Sequence, residues 1–237
     1  MNEGVVRGSI DLVKGILRDT NNLKECNYVK NNNIYSSKFS SEFISVSQEE
    51  EYEKIYKIAI EKGDYDFLLK DDSFFQFSCE LNNSNGKLTK LRYAYYQNPR
   101  AYPTYEEFLK DIFNTEIEQC GEIFQFEYEQ MIAEAKINRG VCPIRYDYDY
   151  ELYQGMYHSI SHIHIGHNNE VRIAVNKMLT PEKFALFVLR NIYYDVWMEC
   201  YKNNVKFQQR CLTSKQRCEA LVEEYFSKEE NKQLFLS

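Results

Sequence analysis

RYDYDYE, at residues 145–151, alternates charged and aromatic side chains without a break. A period of two predicts a β-strand with one polar and one apolar face. SHIHIG (161–166) and EVRIAV (170–175) alternate in the same way, so we expect both to be strands. If the apolar faces of all three strands pack on one core, their polar faces must coincide.

A hairpin is predicted upstream of these strands. FFQFSCEL (74–81) and LTKLRYAYYQ (88–97) both alternate at period two. The Asn85-Gly86 pair between them supplies the positive φ angles that a tight reversal needs. The chain is therefore expected to form an antiparallel sheet of about five strands.

A buried helix is predicted downstream. Thr180 is a good N-cap and Pro181 a good first helical residue. The segment from Pro181 to about Tyr201 is apolar on nearly every side, which is typical of a helix that is buried. The predicted fold class is α+β, with the antiparallel sheet packed on this C-terminal helix and additional helices around it.

Further helices are predicted from apolar spacing and from capping boxes. One apolar stripe marks an N-terminal helix, through Val6, Ile10, Val13 and Leu17. Three capping boxes mark helix starts, namely Ser47 with Glu50, Thr104 with Glu107, and Thr213 with Gln216. The first of these helices should end near Lys62 and the second near Asn114. Residues 117–137 are expected to be mostly helical, and the Asn-rich stretch 21–33 to be a loop.

The length suits one α+β domain over residues 1–237. We expect it to comprise a helical N-terminal part (1–70), the sheet with the central helix (71–201) and a C-terminal helical extension (202–237).

Composition excludes several classes of protein. The formal net charge of −7 argues against a protein that coats nucleic acid through bulk positive charge. The seven cysteines include no CxxC pair, so neither a zinc knuckle nor a disulfide framework is expected. No apolar run approaches the roughly 20 residues that span a bilayer, and the chain begins without an apolar signal segment. These features favour a cytoplasmic protein that does not contact a membrane.

All four histidines lie within ten positions, at His158, His162, His164 and His167. Strand alternation places His162 and His164 on one face, which should coincide with the polar faces of the neighbouring strands. Those faces carry acidic and basic candidates, namely Asp147, Asp149, Arg145 and Arg172.

These residue types suit chemistry on a phosphate. His162 and His164 can act as acid or base, with Asp147 and Asp149 to orient the imidazoles, and we take these four as catalytic candidates. Three residues are ligand-binding candidates, with the arginines able to bind phosphate through paired hydrogen bonds: Arg145, Arg172 and His158. The same set could instead hold a divalent transition metal, bind a ligand without catalysis, or form a solvated polar face. The sequence leaves the cofactor unknown.

Two kinds of macromolecular partner also fit the sequence. Basic residues stand beside tyrosines in the segment 87–102, a pattern that can bind single-stranded nucleic acid, although ordinary surface gives the same pattern. The chain is rich in tyrosine, which favours protein interfaces. A non-catalytic interaction subunit of a larger complex is therefore the alternative to a phosphate-directed protein.

Known histidine motifs do not match the chain. In HIHIG, Gly166 stands where histidine-triad hydrolases have their third histidine, and the second His-containing segment of the two-histidine phosphoesterases is missing. The chain does resemble a bacterial family known as domain of unknown function 2290. The resemblance lies in SFFQFS…LRYAYY (73–96), PIRYDYD with SHIHIG (143–166) and VRIAV…LTPEKFALFVLRNIYY (171–194). It implies a bacterial protein of no established activity, from a kind of family often found near phage-defence genes.

Overall fold

A seven-stranded antiparallel sheet runs through the protein, with its strands side by side in chain order. The computed structural model describes residues 1–28, 34–47, 51–82, 84–99, 103, 105–138 and 141–167, together with 171–233. The strands of the sheet are β1 (Leu23–Cys26), β2 (Phe67–Leu69), β3 (Phe74–Leu81), β4 (Leu88–Tyr96), β5 (Ile144–Asp149), β6 (Ser161–Ile165) and β7 (Ile173–Ala174). The α+β prediction is confirmed, but the sheet is larger than the expected five strands.

Two short strands pair away from the main sheet, and helices make up most of the remaining regular structure. The small pair is β8 (Lys177–Met178) with β9 (Glu219–Ala220). The α-helices of the described residues are α1 (Glu3–Asp19), α2 (Ser41–Val46), α3 (Tyr52–Lys62), α4 (Tyr105–Phe108), α5 (Ile117–Cys120), α6 (Gln125–Asn138), α7 (Pro181–Ile192), α8 (Tyr194–Asn203), α9 (Val205–Thr213) and α10 (Lys228–Gln233). None of these helices is both long enough and apolar enough to traverse a lipid bilayer.

The apolar face of the sheet packs on α7 and α1. Phe184 of α7 is fully buried and contacts the rings of Phe75 and Tyr93, with centroids 6.2 and 5.9 Å away. The predicted stripe of α1 enters the same core, since its four residues Val6, Ile10, Val13 and Leu17 are all fully buried. Alternation along β3 and β4 thus points Phe75, Phe77, Tyr93 and Tyr95 towards these helices.

On the opposite face of the sheet, α2 and α3 cover only one end. A second apolar cluster forms there from Phe43 of α2, Ile55 and Ala59 of α3, and Phe74 and Leu68 of the sheet. Beyond this cluster the same face carries the polar side chains of β4, β5 and β6. The helices therefore form one wall of a groove over those side chains.

The expected helix from Pro181 to Tyr201 is in fact two helices. The chain breaks at Tyr193, whose φ of −114° and ψ of 48° are not helical. The Tyr193 hydroxyl donates to Asp71 at 2.7 Å and lies 2.9 Å from the hydroxyl of Tyr95. These anchors to the sheet explain why an apolar pattern that looks continuous is divided.

Two capping-box predictions were wrong, and one cannot be judged. Ser47 ends α2 instead of starting a helix, and α3 begins only at Tyr52, while Glu50 lies outside the described residues. Thr213 ends α9 and is followed by a 3₁₀ turn, because the chain must turn back towards β9. Thr104 also lies outside the described residues.

Two helix ends and four segments can be compared with the expectations. Gly63, with φ of +69°, ends α3 as predicted, and the helical segment that begins with α4 continues as a π turn to Asn114, as predicted. Residues 117–137 are largely helical, with a break at 121–124. The loop expected at 21–33 contains β1, and the N-terminal part (1–70) supplies two strands as well as helices, so it is not purely helical. The C-terminal part likewise contains β9.

Candidate functional site

Strand register brings the predicted polar residues together on one face. Asp147 of β5 lies opposite His162 of β6 and opposite Arg92 of β4. Two residues earlier on β5, Arg145 lies opposite His164 of β6 and Ala94 of β4. Because directly opposed residues are the closest side-chain neighbours in a sheet, two imidazoles, two guanidiniums and one carboxylate meet here.

Asp147 is the centre of this cluster. Its Oδ1 accepts a hydrogen bond from Nε of Arg92 at 3.1 Å, and its Oδ2 accepts one from Nε of Arg145 at 2.7 Å. Nε2 of His164 lies 3.4 Å from Oδ2. Burial alone would raise the pKa of Asp147, but His164 and the two guanidiniums outweigh it and hold the pKa far below its usual range. Asp147 is therefore an anion at neutral pH.

His162 is buried and held in one tautomer. Its Nδ1 lies 2.8 Å from the carbonyl oxygen of Ser159, which can only accept, so Nδ1 carries the proton and Nε2 has a lone pair. Burial lowers the pKa of His162 to about 4, against the smaller raising effects of the Ser159 carbonyl and Asp147. The ring is therefore neutral at pH 7 and offers Nε2 as a base or a metal ligand.

A third histidine ring stands beside His162. The ring centroid of His158 is 5.0 Å from that of His162, which in turn is 4.8 Å from that of His164. His158 is half-buried, and its Nδ1 is a buried atom for which the described residues provide no hydrogen-bond partner. Buried polar atoms of this kind are uncommon and call for a bound water or ion.

The two arginines face a groove. Their side chains are 56% exposed for Arg92 and 44% exposed for Arg145, and no partner for their terminal Nη atoms occurs in the described part of the chain. Two cavities of about 230 and 360 Å³ open here, and both are lined by Arg145 and Ala94. The larger also reaches Arg92, and the smaller reaches His164. Arg92, Arg145 and Asp147 together carry a net charge of +1, histidines left aside. Glu80 adds a second carboxylate to the lining of the larger cavity, whereas the lining of the smaller cavity contains Arg145 and no carboxylate.

Two predicted site residues make no hydrogen bond or ion pair with this cluster. Asp149 accepts hydrogen bonds from the backbone N–H groups of Glu151 and Leu152 and pairs with Lys90 at 3.2 Å, so it stabilises a turn. Arg172 is exposed just before β7, where the register of β7 on β6 leads towards His164, and it makes no hydrogen bond or ion pair among the residues that the structure describes. Its role in ligand binding stays a prediction.

Arg92 is the functional candidate that sequence reasoning missed. The sequence places Arg92 in the basic and aromatic segment 87–102 and gives no reason to group it with the histidines. Its strand parity was available, since Arg92 alternates with Leu91 and Tyr93. The pairing of β4 with β5, which places it opposite Asp147, could not be derived from either segment alone.

The cluster also has the donor set of a metal site. Asp147, His162 and His164 each offer one ligand atom, and the three atoms lie within 4.8 Å of one another. Two imidazole nitrogens and a carboxylate oxygen suit zinc and related divalent transition metals. His167, by contrast, packs its ring on Tyr52 at 5.4 Å and is not one of these donors, although it lines the smaller cavity together with His164.

Comparison with known proteins gives a family and nothing more specific. No curated protein matches the chain, and no solved structure does. A family profile described as "Uncharacterized conserved protein (DUF2290)" matches residues 17–236, which is nearly the whole chain. The resemblance seen in the strand and helix motifs is thereby confirmed, and the chain belongs to the DUF2290 family of uncharacterized conserved proteins.

Proposed function

We propose that the groove binds the phosphate of a nucleotide or nucleic acid between the guanidinium groups of Arg92 and Arg145. The observation that carries this proposal is the way in which one buried carboxylate holds both arginines. Asp147 binds each of them at Nε, and the Nη atoms have no partner in the described part of the chain. A guanidinium that is fixed in this way is ready for the paired hydrogen bonds that suit a phosphate.

Charge supports an anionic ligand over a cationic one. Arg92, Arg145 and Asp147 together are net positive, and only the larger cavity has a further carboxylate, Glu80, in its lining, whereas the whole chain has a net charge of −7. Attraction must therefore come from this groove and not from the overall field of the protein. A local positive groove in an acidic protein favours a small phosphate ligand or a short single strand over a long duplex.

The histidines place chemistry next to the bound phosphate. The lone pair of His162 Nε2 can accept a proton from an attacking hydroxyl group, or it can hold a metal ion. Either use would suit an enzyme that acts on phosphate esters, such as a hydrolase. The free state of all seven cysteines fits a reducing compartment such as the cytoplasm, while a role in antiviral defence stays an expectation from the family resemblance.

Binding of inorganic phosphate, AMP and a short single-stranded oligonucleotide by isothermal titration calorimetry tests the proposal. Loss of one charged hydrogen-bonding group costs about 1.5–3 kcal/mol, so R92A and R145A should each weaken binding by roughly 10- to 100-fold. R145K keeps the positive charge but loses the paired hydrogen bonds of the guanidinium. Its affinity for the ligands should therefore fall between that of R145A and that of the parent.

Arg18→Ala is the control, because it removes an exposed arginine from α1, which packs on the opposite face of the sheet. We expect it to bind like the parent. Equal binding by the parent, R92A and R145A to all three ligands would refute the proposal. So would an effect of Arg18→Ala as large as that of R145A.

A second candidate function, protein interaction, is favoured by a separate patch. Apolar side chains around α5 and the start of α6 are unusually exposed, with Ile123 at 73% and Phe126 at 75%. Exposed clusters of this kind often mark protein interfaces. Replacement of both residues by aspartate should release a specific co-purifying protein while phosphate binding is unchanged. An identical set of co-purified proteins would count against this candidate.

A further inference from the structure

We propose that Asp147, His162 and His164 hold one divalent transition-metal ion of the zinc class, to which the phosphate of the ligand then binds. This inference rests on the proposed phosphate site and names its cofactor. It uses one carboxylate oxygen and one nitrogen from each ring, all on the polar face of β5 and β6.

The spacing of the donor atoms is the first argument. Nε2 of His164 and Oδ2 of Asp147 lie 3.4 Å apart, which is long for an N–H···O hydrogen bond. Two ligands on a tetrahedral ion with bonds of about 2.0–2.2 Å are separated by roughly 3.3–3.5 Å. This pair therefore has the separation of two ligands that share an ion. The three donor atoms lie within 4.8 Å, so closure around an ion needs movements of about an ångström.

The second argument is the hydrogen-bond partner that fixes the ring of a proposed ligand. Metal-bound histidines usually donate their other ring N–H to a carbonyl or carboxylate, which fixes the ring and its tautomer. Nδ1 of His162 has such a partner in the Ser159 carbonyl, at 2.8 Å. The loop between β5 and β6 therefore holds Nε2 in the form that binds a metal before any metal arrives.

The orphaned nitrogen of His158 is the third and independent argument. Its Nδ1 is buried, and no described residue bonds to it, although the ring stands edge-on to His162 at 5.0 Å between centroids. A buried acceptor or donor without a partner costs free energy. A water molecule on an ion bound to His162 would be a polar neighbour of the His158 ring.

Charge then links the metal to the phosphate. Arg92 and Arg145 already form ion pairs with Asp147, so a divalent cation that binds there without phosphate is repelled by two positive groups. A phosphate would compensate both the ion and the guanidiniums. We therefore expect the metal to bind weakly alone and more tightly with phosphate present. Because linkage is reciprocal, each ligand should raise the affinity for the other by the same factor.

The experiment uses the full chain, purified without a histidine tag and freed of metal by a chelator. Zn²⁺ and Co²⁺ are titrated with and without AMP, with calorimetry for affinity and the visible absorption of Co²⁺ for coordination. One ion per chain should bind, and AMP should tighten it at least tenfold. His162→Ala and His164→Ala should each weaken it at least tenfold, and His158→Ala by less.

Three control variants complete the experiment. His167→Ala removes a histidine of the same segment that is not one of the three donors, and in titrations without AMP it should bind the ion like the parent. If His162→Ala or His164→Ala does not fold by circular dichroism, His162→Gln and His164→Asn replace them. Less than half an ion per chain in the presence of AMP would overturn the inference. Equal loss in His167→Ala would do the same.

Failure of this inference is separable from failure of the proposed function. If AMP binds in excess chelator in an arginine-dependent way, and no ion binds, the phosphate site stands and the metal site falls. If an ion binds through the histidines but AMP and phosphate do not bind, the phosphate site falls, and with it the linkage proposed here.

Discussion

Removal of the Arg217 side chain should destabilise the protein, because it leaves a buried carboxylate without its main partner. Glu182, at the start of α7, is fully buried. Arg217 donates to it through both Nε and Nη2, at 2.8 and 2.9 Å. The nearest other cation is Arg210, whose Nε lies 3.8 Å from Oε1. This pair also ties the segment after α9 to the helix that supports the sheet.

The expected loss of stability depends on the burial of Glu182 and on the positive charge that remains near it. Breaking a buried ion pair by removing one partner typically costs 3–5 kcal/mol. The Arg217 side chain is 44% exposed and Arg210 stays close, so solvent and the second guanidinium reduce this cost. We expect about 2 kcal/mol for R217A. For a chain of this size that corresponds to a fall in Tm of roughly 4–8 °C.

Urea unfolding, followed by the fluorescence of the single tryptophan, Trp197, measures the difference. Lys202→Ala is the matched control, since it removes a cation from an exposed position of α8 and should cost less than about 0.5 kcal/mol. Adding Glu182→Gln to R217A removes the buried charge and should restore part of the stability. The reasoning is wrong if R217A costs no more than the control, or if the double variant is less stable than R217A.

Three further predictions concern stability. Gly63→Ala should cost about 1 kcal/mol in urea unfolding, because φ is +69° there; no loss would show that the turn relaxes. Tyr146→Phe should cost about 1–2 kcal/mol in thermal unfolding, because the hydroxyl bonds Ser161 and accepts the buried N–H of Leu179; an unchanged Tm would contradict this. Burial raises the pKa of Tyr93 and Tyr146, so their contribution to stability is constant below the unfolded pKa of about 10 and is lost above it; a loss of stability above pH 10 that is as steep in Tyr146→Phe as in the parent would disprove this for Tyr146.

Alternation within single segments predicted much of the fold and the face of the candidate site. In RYDYDYE and SHIHIG the pleat alone assigns Asp147, His162 and His164 to the side away from the core, because neighbouring side chains must point to opposite faces. The stripe of α1 and the start of α7 at Pro181 were predicted on the same local grounds. Backbone geometry over a few residues is sufficient for statements of this kind.

Several features depend on contacts that no segment contains by itself. The edge strand β1 has a polar sequence and exists because it pairs with β2. The apolar run after Pro181 breaks where Tyr193 is bound by Asp71 and Tyr95. Neither the pairing nor the break has a local signal, since both depend on partners distant in the chain.

The membership of the site was decided in the same way. Arg92 joins Asp147 because β4 pairs with β5 in a register that places these two residues opposite each other. Asp149 shares the parity of Asp147, but it reaches the turn, where backbone N–H groups bind it. The face of each side chain thus follows from the pleat of its own strand. Which side chains meet follows from long-range register and packing, and these exist only in the folded chain.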